Sequence, residues 1–146
     1  MKKVFFLCFL LALQPAYGVD KKACLTDINQ LEAELKNCTV SYDDNASTAD
    51  MNNATYDATD CAIRVMDKVF EKYYSNTLNE SKALFNQLVK SVYAYAHHLQ
   101  QSSDYARVHY LGTMYNTMAI STADKVINDF VQSYLDEIKA QCKDYD

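Results

Sequence analysis

At 146 residues with a formal charge of −5, the chain is long enough for one packed core and acidic enough to disfavour nucleic acid and anionic membranes as partners. Its 2 glycines and 1 proline are too few for the turns of a β-rich domain. An all-α fold is the expectation.

Residues 1–18 carry the pattern of a secretory signal. Lys2 and Lys3 precede an apolar run from Val4 to Leu13, and in Ala16-Tyr17-Gly18 the small residues on either side of Tyr17 fit a cleavage site. The run is too short for a permanent membrane helix. Removing it leaves 128 residues, 19–146, as a single helical domain; Lys2 and Lys3 leave too, taking the charge from −5 to −7.

Residues 20–38 place Cys24, Ile28, Leu31, Leu35 and Cys38 at helical spacing. Residues 39–57 are mostly Asp, Asn, Ser, Thr and Ala, and read as a long loop. A second helix is predicted over 58–74, capped by Asp57 or Thr59, with Ala62, Val65, Val69 and Tyr73 inward and Met66 and Phe70 beside them. After a polar break at 76–79, a third is predicted over 80–101, with Leu84, Leu88, Val92, Tyr95 and Leu99 as its inner stripe. Ser102, Ser103 and Asp104 offer a cap for a fourth, ending near Met118. Its apolar face holds Leu111, Met114 and Met118. The last helix starts at Ser121 or Thr122 and carries Val126, Ile127, Phe130, Val131, Tyr134, Leu135, Ile138 and Cys142. The sum is a bundle of about five helices.

Cys8 falls in the leader, so Cys24, Cys38, Cys61 and Cys142 remain, an even set that reads as two disulfides in an exported protein. One helix from Cys24 to Cys38 separates them by roughly 21 Å, beyond the ~7 Å that a disulfide tolerates. Two pairings survive this test. The simpler joins Cys38 to Cys61 and Cys24 to Cys142, as antiparallel neighbours would. There is no Cys-x-x-Cys motif and no histidine at ligand spacing from a cysteine, so no metal or cofactor is expected.

Four triplets match the glycosylation pattern, at Asn37, Asn45, Asn53 and Asn79. Asn37 abuts a cysteine expected to be bridged, which leaves Asn45, Asn53 and Asn79 as the candidate acceptors. His97 and His98 are adjacent and point about 100° apart on a helix, and His109 lies on the next element. No serine elbow, zinc helix or phosphate loop occurs, so an enzyme is not expected. Tyr42, Asp43 and Asp44, Tyr56 with Asp57, and Asp144, Tyr145 and Asp146 set phenols among carboxylates. Such tyrosines suit sulfation in a secreted protein, and suit recognition surfaces generally.

The leader, the four cysteines and the helices nearly free of Gly and Pro resemble the mosquito salivary anophensin/albicin family of small secreted helical proteins. The resemblance rests on size, cysteine count and helicity, and it transfers no family site. It implies a non-enzymatic inhibitor of a host plasma protease cascade, the alternative complement pathway or the kallikrein-kinin contact system. The partner would be a host plasma protein or protease complex, and the protein would be extracellular and would impair host haemostasis. The residues first expected at such a surface are Tyr42, Asp43, Asp44, Tyr56, Tyr105, His109 and Tyr110. The competing expectation is a helical carrier of apolar ligands, similar to odorant-binding proteins, with Met114, Met118, Phe130 and Tyr134 lining its pocket.

Overall fold

The computed structural model describes residues 20–102 and 112–144, with side chains over 20–98 and 117–144. The leader and its cleavage site, Tyr105, His109, Tyr110 and Tyr145 lie outside the described residues. So do Ser103, Asp104 and Leu111 of the expected fourth helix, and the side chains of Leu99 and Met114.

All regular structure among the described residues is helical. Helix α1 spans Lys21–Lys36, α2 Thr48–Tyr73, α3 Leu78–Ser102 and α4 Gly112–Asp144, with a short 3₁₀ turn at Ser75–Thr77 between α2 and α3. Asp20 starts α1 by accepting from the Lys22 amide, and the Asn37 amide closes it on the carbonyls of the last turn.

Helix α4 is the central element and packs against each of the others. Ile120, Ala123, Ile127, Val131, Leu135, Ile138 and Cys142 recur every three or four residues along it, with Ala119 beside the first, all buried. Against this stripe α1 sets Cys24, Ile28, Leu31 and Leu35, and α2 sets Ala62, Val65, Met66, Val69 and Phe70. An aromatic cluster closes the α2–α3–α4 side. Phe70 lies 5.8 Å from Phe85, and Phe85 stacks on Phe130 at 5.8 Å. Tyr134 sits 5.1 Å from Phe130, so the two rings read above as pocket lining belong to the core.

Both favoured disulfides are present. Cys24 joins Cys142 with Cα atoms 5.9 Å apart, and Cys38 joins Cys61 at 5.4 Å. The first ties the start of α1 to the end of α4. The second fixes the end of α1 against the middle of α2.

Three expectations are corrected. The described residues hold four α-helices where about five were expected, because α4 runs unbroken through Ser121 and Thr122. Instead of capping, the Thr122 hydroxyl donates to the Met118 carbonyl at 2.8 Å within the helix, and Ile120 and Ala123 on either side are buried. The first ten residues of α2, 48–57, were read as loop and its start was placed at Asp57 or Thr59. The start is Ser47, whose hydroxyl accepts from the Asp50 amide at 3.2 Å while the Asp50 carboxylate accepts from the Ser47 amide at 3.0 Å. Finally, the stripe expected inside α3 is only partly inward: Leu88 and Val92 pack against the core, while Leu84 and Tyr95 at its edges turn outward. Leu84 is 50% exposed and Tyr95 63%, whereas Phe85 and Ala96 are buried. The ring of Phe85 gains two aromatic neighbours by facing inward, and that contact sets the rotation of α3.

The two disulfides close loops of different length, which separates their contributions. Replacing Cys24 and Cys142 by alanine, across 118 residues, lowers stability by about 5 kcal/mol. Replacing Cys38 and Cys61, across 23 residues, lowers it by about 3 kcal/mol. Urea unfolding followed by circular dichroism measures both, and a larger loss from the shorter loop contradicts this account.

Candidate functional site

The Cys38–Cys61 bond levels the end of α1 with the fourteenth residue of α2. The first thirteen residues of α2 therefore extend about 20 Å past that level. Residues 38–47 climb back along this projection as an irregular strap before the chain enters α2 at Ser47. The strap turns at Asp43, whose carboxylate accepts from the Asn45 amide at 2.7 Å and whose carbonyl accepts from the Ala46 amide at 3.1 Å. Tyr42, Asp43 and Asp44 are all exposed on it, Tyr42 at 54%.

Helix register gathers more carboxylates on the same flank. Asp50 and Asp57 lie within about 40° of Cys61 around α2, at ~100° per residue. Both are exposed, as is Asp60. Asp50 is held below the usual carboxylate range by the Ser47 hydroxyl and then by the Ser47 amide. Tyr56 falls about 140° away from Cys61 by the same count, so it does not share the strap flank. Its ring instead lies 6.0 Å from that of Tyr93 on α3. Of the expected partner-binding groups, the structure thus groups Tyr42, Asp43 and Asp44, and separates Tyr56 from them.

The lysines in ion pairs sit elsewhere. Lys68 meets Glu34 at 2.6 Å, Lys72 meets Asp27, Lys82 bridges Glu71 at 2.8 Å and Asp67 at 3.6 Å, and Lys139 meets Glu32 at 2.7 Å. All these pairs lace the half of the bundle that contains α1. Asp43, Asp44, Asp50, Asp57 and Asp60 stand outside these pairs, and no Lys or Arg falls between Lys36 and Arg64, so negative charge is concentrated on the strap and the upper turns of α2. This is the candidate site: a carboxylate-rich flank suited to a basic protein surface, with exposed Tyr42 as an aromatic contact.

Beneath this flank, α2 is held to α4 by polar groups as well as apolar ones. The Thr59 hydroxyl, 1% exposed, donates to Asp124 Oδ1 at 2.8 Å, and Asn128 Nδ2 donates to the same oxygen at 3.0 Å. Thr55 is buried one turn above, and Ala96, Ala119 and Ala123 form a close-packed patch of small residues beside Tyr93. Asn52 Oδ1 and Tyr73 Oη are buried with no hydrogen-bond partner among the described residues. The carboxyl of Asp124 is raised above its ordinary value of 3.8 by burial, offset in part by hydrogen bonds from Thr59 and Asn128. None of this was read from the sequence, where Thr59 stood as a candidate cap and Asp124 was not singled out.

His97 is half-buried and His98 exposed, consistent with their divergent directions on α3. Asn45, Asn53 and Asn79 are all exposed, as a glycan acceptor must be. Met118 lies at the surface, 42% exposed, apart from Phe130 and Tyr134 in the core. Among the described residues no cluster of His, Cys, Asp or Glu is arranged to hold a metal ion, and no helix is long and apolar enough to cross a membrane.

Because folding raises the Asp124 carboxyl, that group favours the folded state at acid pH and loses the contribution as pH rises through its folded value. Asp124→Asn keeps an oxygen to accept from Thr59 and Asn128 and removes the buried charge. The variant is therefore more stable than the parent at neutral pH, and the margin closes as pH falls toward the ordinary carboxylate range. Urea titrations at several pH values check this, and a variant less stable at neutral pH contradicts it. Comparison with known protein families, curated proteins and solved structures finds no match to this chain.

Proposed function

We propose that this chain is a secreted, non-enzymatic binding protein that engages a basic surface on a host plasma protein. The finer reading is a salivary inhibitor of a plasma protease cascade, the alternative complement pathway or the kallikrein-kinin contact system. The observation that carries the proposal is the carboxylate-rich strap flank, fixed to a helix by a disulfide and left outside the ion pairs of the bundle.

Several features support it. Two disulfides fit an oxidising, extracellular destination, in keeping with the leader pattern of residues 1–18. A cross-linked bundle presents its surface with little ordering cost on binding. A cluster of carboxylates accelerates encounter with a basic partner, and does so most strongly at low salt. Inhibition then needs no active site, since covering a substrate-docking surface holds a protease complex unproductive.

The test is capture from human plasma on immobilised mature protein, followed by association kinetics with the captured component. Neutralising the flank as Asp43→Asn, Asp44→Asn and Asp57→Gln leaves the fold intact and slows association roughly tenfold, with the difference fading at high salt. Association unchanged by the triple substitution removes the strap from the interface. Absence of any plasma component on the column, together with saturable uptake of a fluorescent fatty acid, favours the carrier instead.

A further inference from the structure

The rotation of α3 leaves an apolar strip that the bundle does not cover. Of the seven large hydrophobic side chains exposed among the described residues, four lie on α3 and α4: Leu84 at 50%, Tyr95 at 63%, Met118 at 42% and Val126 at 46%. Helical spacing aligns them. Leu84, Ser91 and Tyr95 are exposed along one line on α3, with Leu88 between them half-buried against the core, and Met118, Thr122 and Val126 follow another line on α4. Between the lines lies an open groove of about 300 Å³, lined by Ser91, Val92, Tyr95, Ala96, Thr122 and Val126. Among the described residues, no charged side chain lines it.

We propose that this strip is a self-association surface through which two copies of the chain form a two-fold dimer. Three observations choose a second copy as the occupant. The first is charge: the chain carries −5 overall, and carboxylates outside the ion pairs crowd the strap flank, whereas none of the described residues lining the groove is charged. Two such molecules repel through that flank, and approach freely through a face whose groove is neutral. The second is shape. Across a two-fold axis the same patch meets itself, so a protruding group needs a recess beside it. Tyr95, the most exposed of the four, stands at the rim of the groove, so the Tyr95 ring of each copy enters the groove of the other. The third is area. Two helices side by side present a strip about 20 Å wide, and Leu84 to Tyr95 covers about 16 Å along α3. With side-chain overhang this gives on the order of 500 Å² per copy, or ~1,000 Å² for the pair, the lower edge of specific interfaces. The dimer is accordingly reversible and concentration-dependent. Its surface is separate from the strap flank, so it stands independently of the function proposed above.

Sedimentation equilibrium of the oxidised, secreted protein, taken to sub-millimolar concentration, tests this. The expected result is a mass that rises from that of one chain to twice that value. Tyr95→Lys and Val126→Glu, each introduced alone at an exposed position, hold the mass at one chain while helical circular dichroism is unchanged. Tyr42→Glu, on the strap, leaves dimerisation intact. Raising salt does not dissociate the dimer, because apolar contacts hold it and residual like-charge repulsion is screened. A wild-type protein that stays at one chain mass throughout the range overturns the proposal, as does a Val126→Glu variant that dimerises like its parent. Capture of a monomeric protein by phosphatidylcholine vesicles also overturns it, assigning the strip to a lipid surface.

Discussion

The bond between Cys38 and Cys61 determines how the upper part of the molecule is built. It stops α1 at the middle of α2 and forces residues 38–47 to return along a projecting stretch of helix. Without that anchor the strap would be a tethered loop, and its carboxylates would sample many arrangements relative to Asp50 and Asp57. With it, both ends of the strap are held, at Cys38 by the disulfide and at Ser47 by the capping box. The ordering cost of the flank is met in folding rather than at the moment of binding.

The disulfide alone would not hold α2 in register, and here the stripe on α4 does most. Val131 and Leu135 are fully buried, and side chains of this kind contribute about 1.5–3 kcal/mol each on leaving water. The exposed ion pairs contribute far less, typically ~0.2–1 kcal/mol in isolation. They orient helices already brought together by apolar burial. Toward the upper end the large apolar groups give way to Thr55, Thr59, Ala119 and Ala123, and packing becomes closer and more polar. Hydrogen bonds from Thr59 and Asn128 to one oxygen of Asp124 specify the register there, because a slip along either helix would leave buried polar groups unsatisfied.

Much of this was legible in the sequence because helices with large apolar residues announce their period. Ile28, Leu31 and Leu35 on α1, and Val65, Val69 and Phe70 on α2, lie where their spacing placed them. Simple chain geometry led to the disulfide pairing. The misreadings have physical reasons. The first ten residues of α2 lack large apolar groups, so periodicity was silent, although Ser47 and Asp50 three residues apart were a readable start. Ser121 and Thr122 looked like a cap because hydroxyls favour helix starts, but a hydroxyl is equally satisfied by the carbonyl four residues earlier. On α3 two apolar lines compete for the core, one through Leu84 and Tyr95 and one through Phe85 and Ala96. Only the positions of Phe70 and Phe130 decide between them. The carboxylate flank was half visible, since Tyr42, Asp43 and Asp44 stand together in the chain. That Asp50 and Asp57 join them, and Tyr56 does not, depends on a helix the sequence did not reveal.

The resulting molecule has two unlike faces: a carboxylate-rich flank tied down by a cross-link, and a neutral apolar strip on the far helices. Both follow from how α2 and α3 are rotated against α4. Amide hydrogen exchange across residues 39–61 of the oxidised protein tests the account at its root. Strong protection from Met51 through Cys61, beside fast exchange in the strap, is the predicted pattern, and opening the Cys38–Cys61 bond should loosen upper α2 while the centre of α4 stays protected. Exchange that is uniformly fast from Thr39 through Asp57 would contradict it, because the flank would then have no helix to stand on.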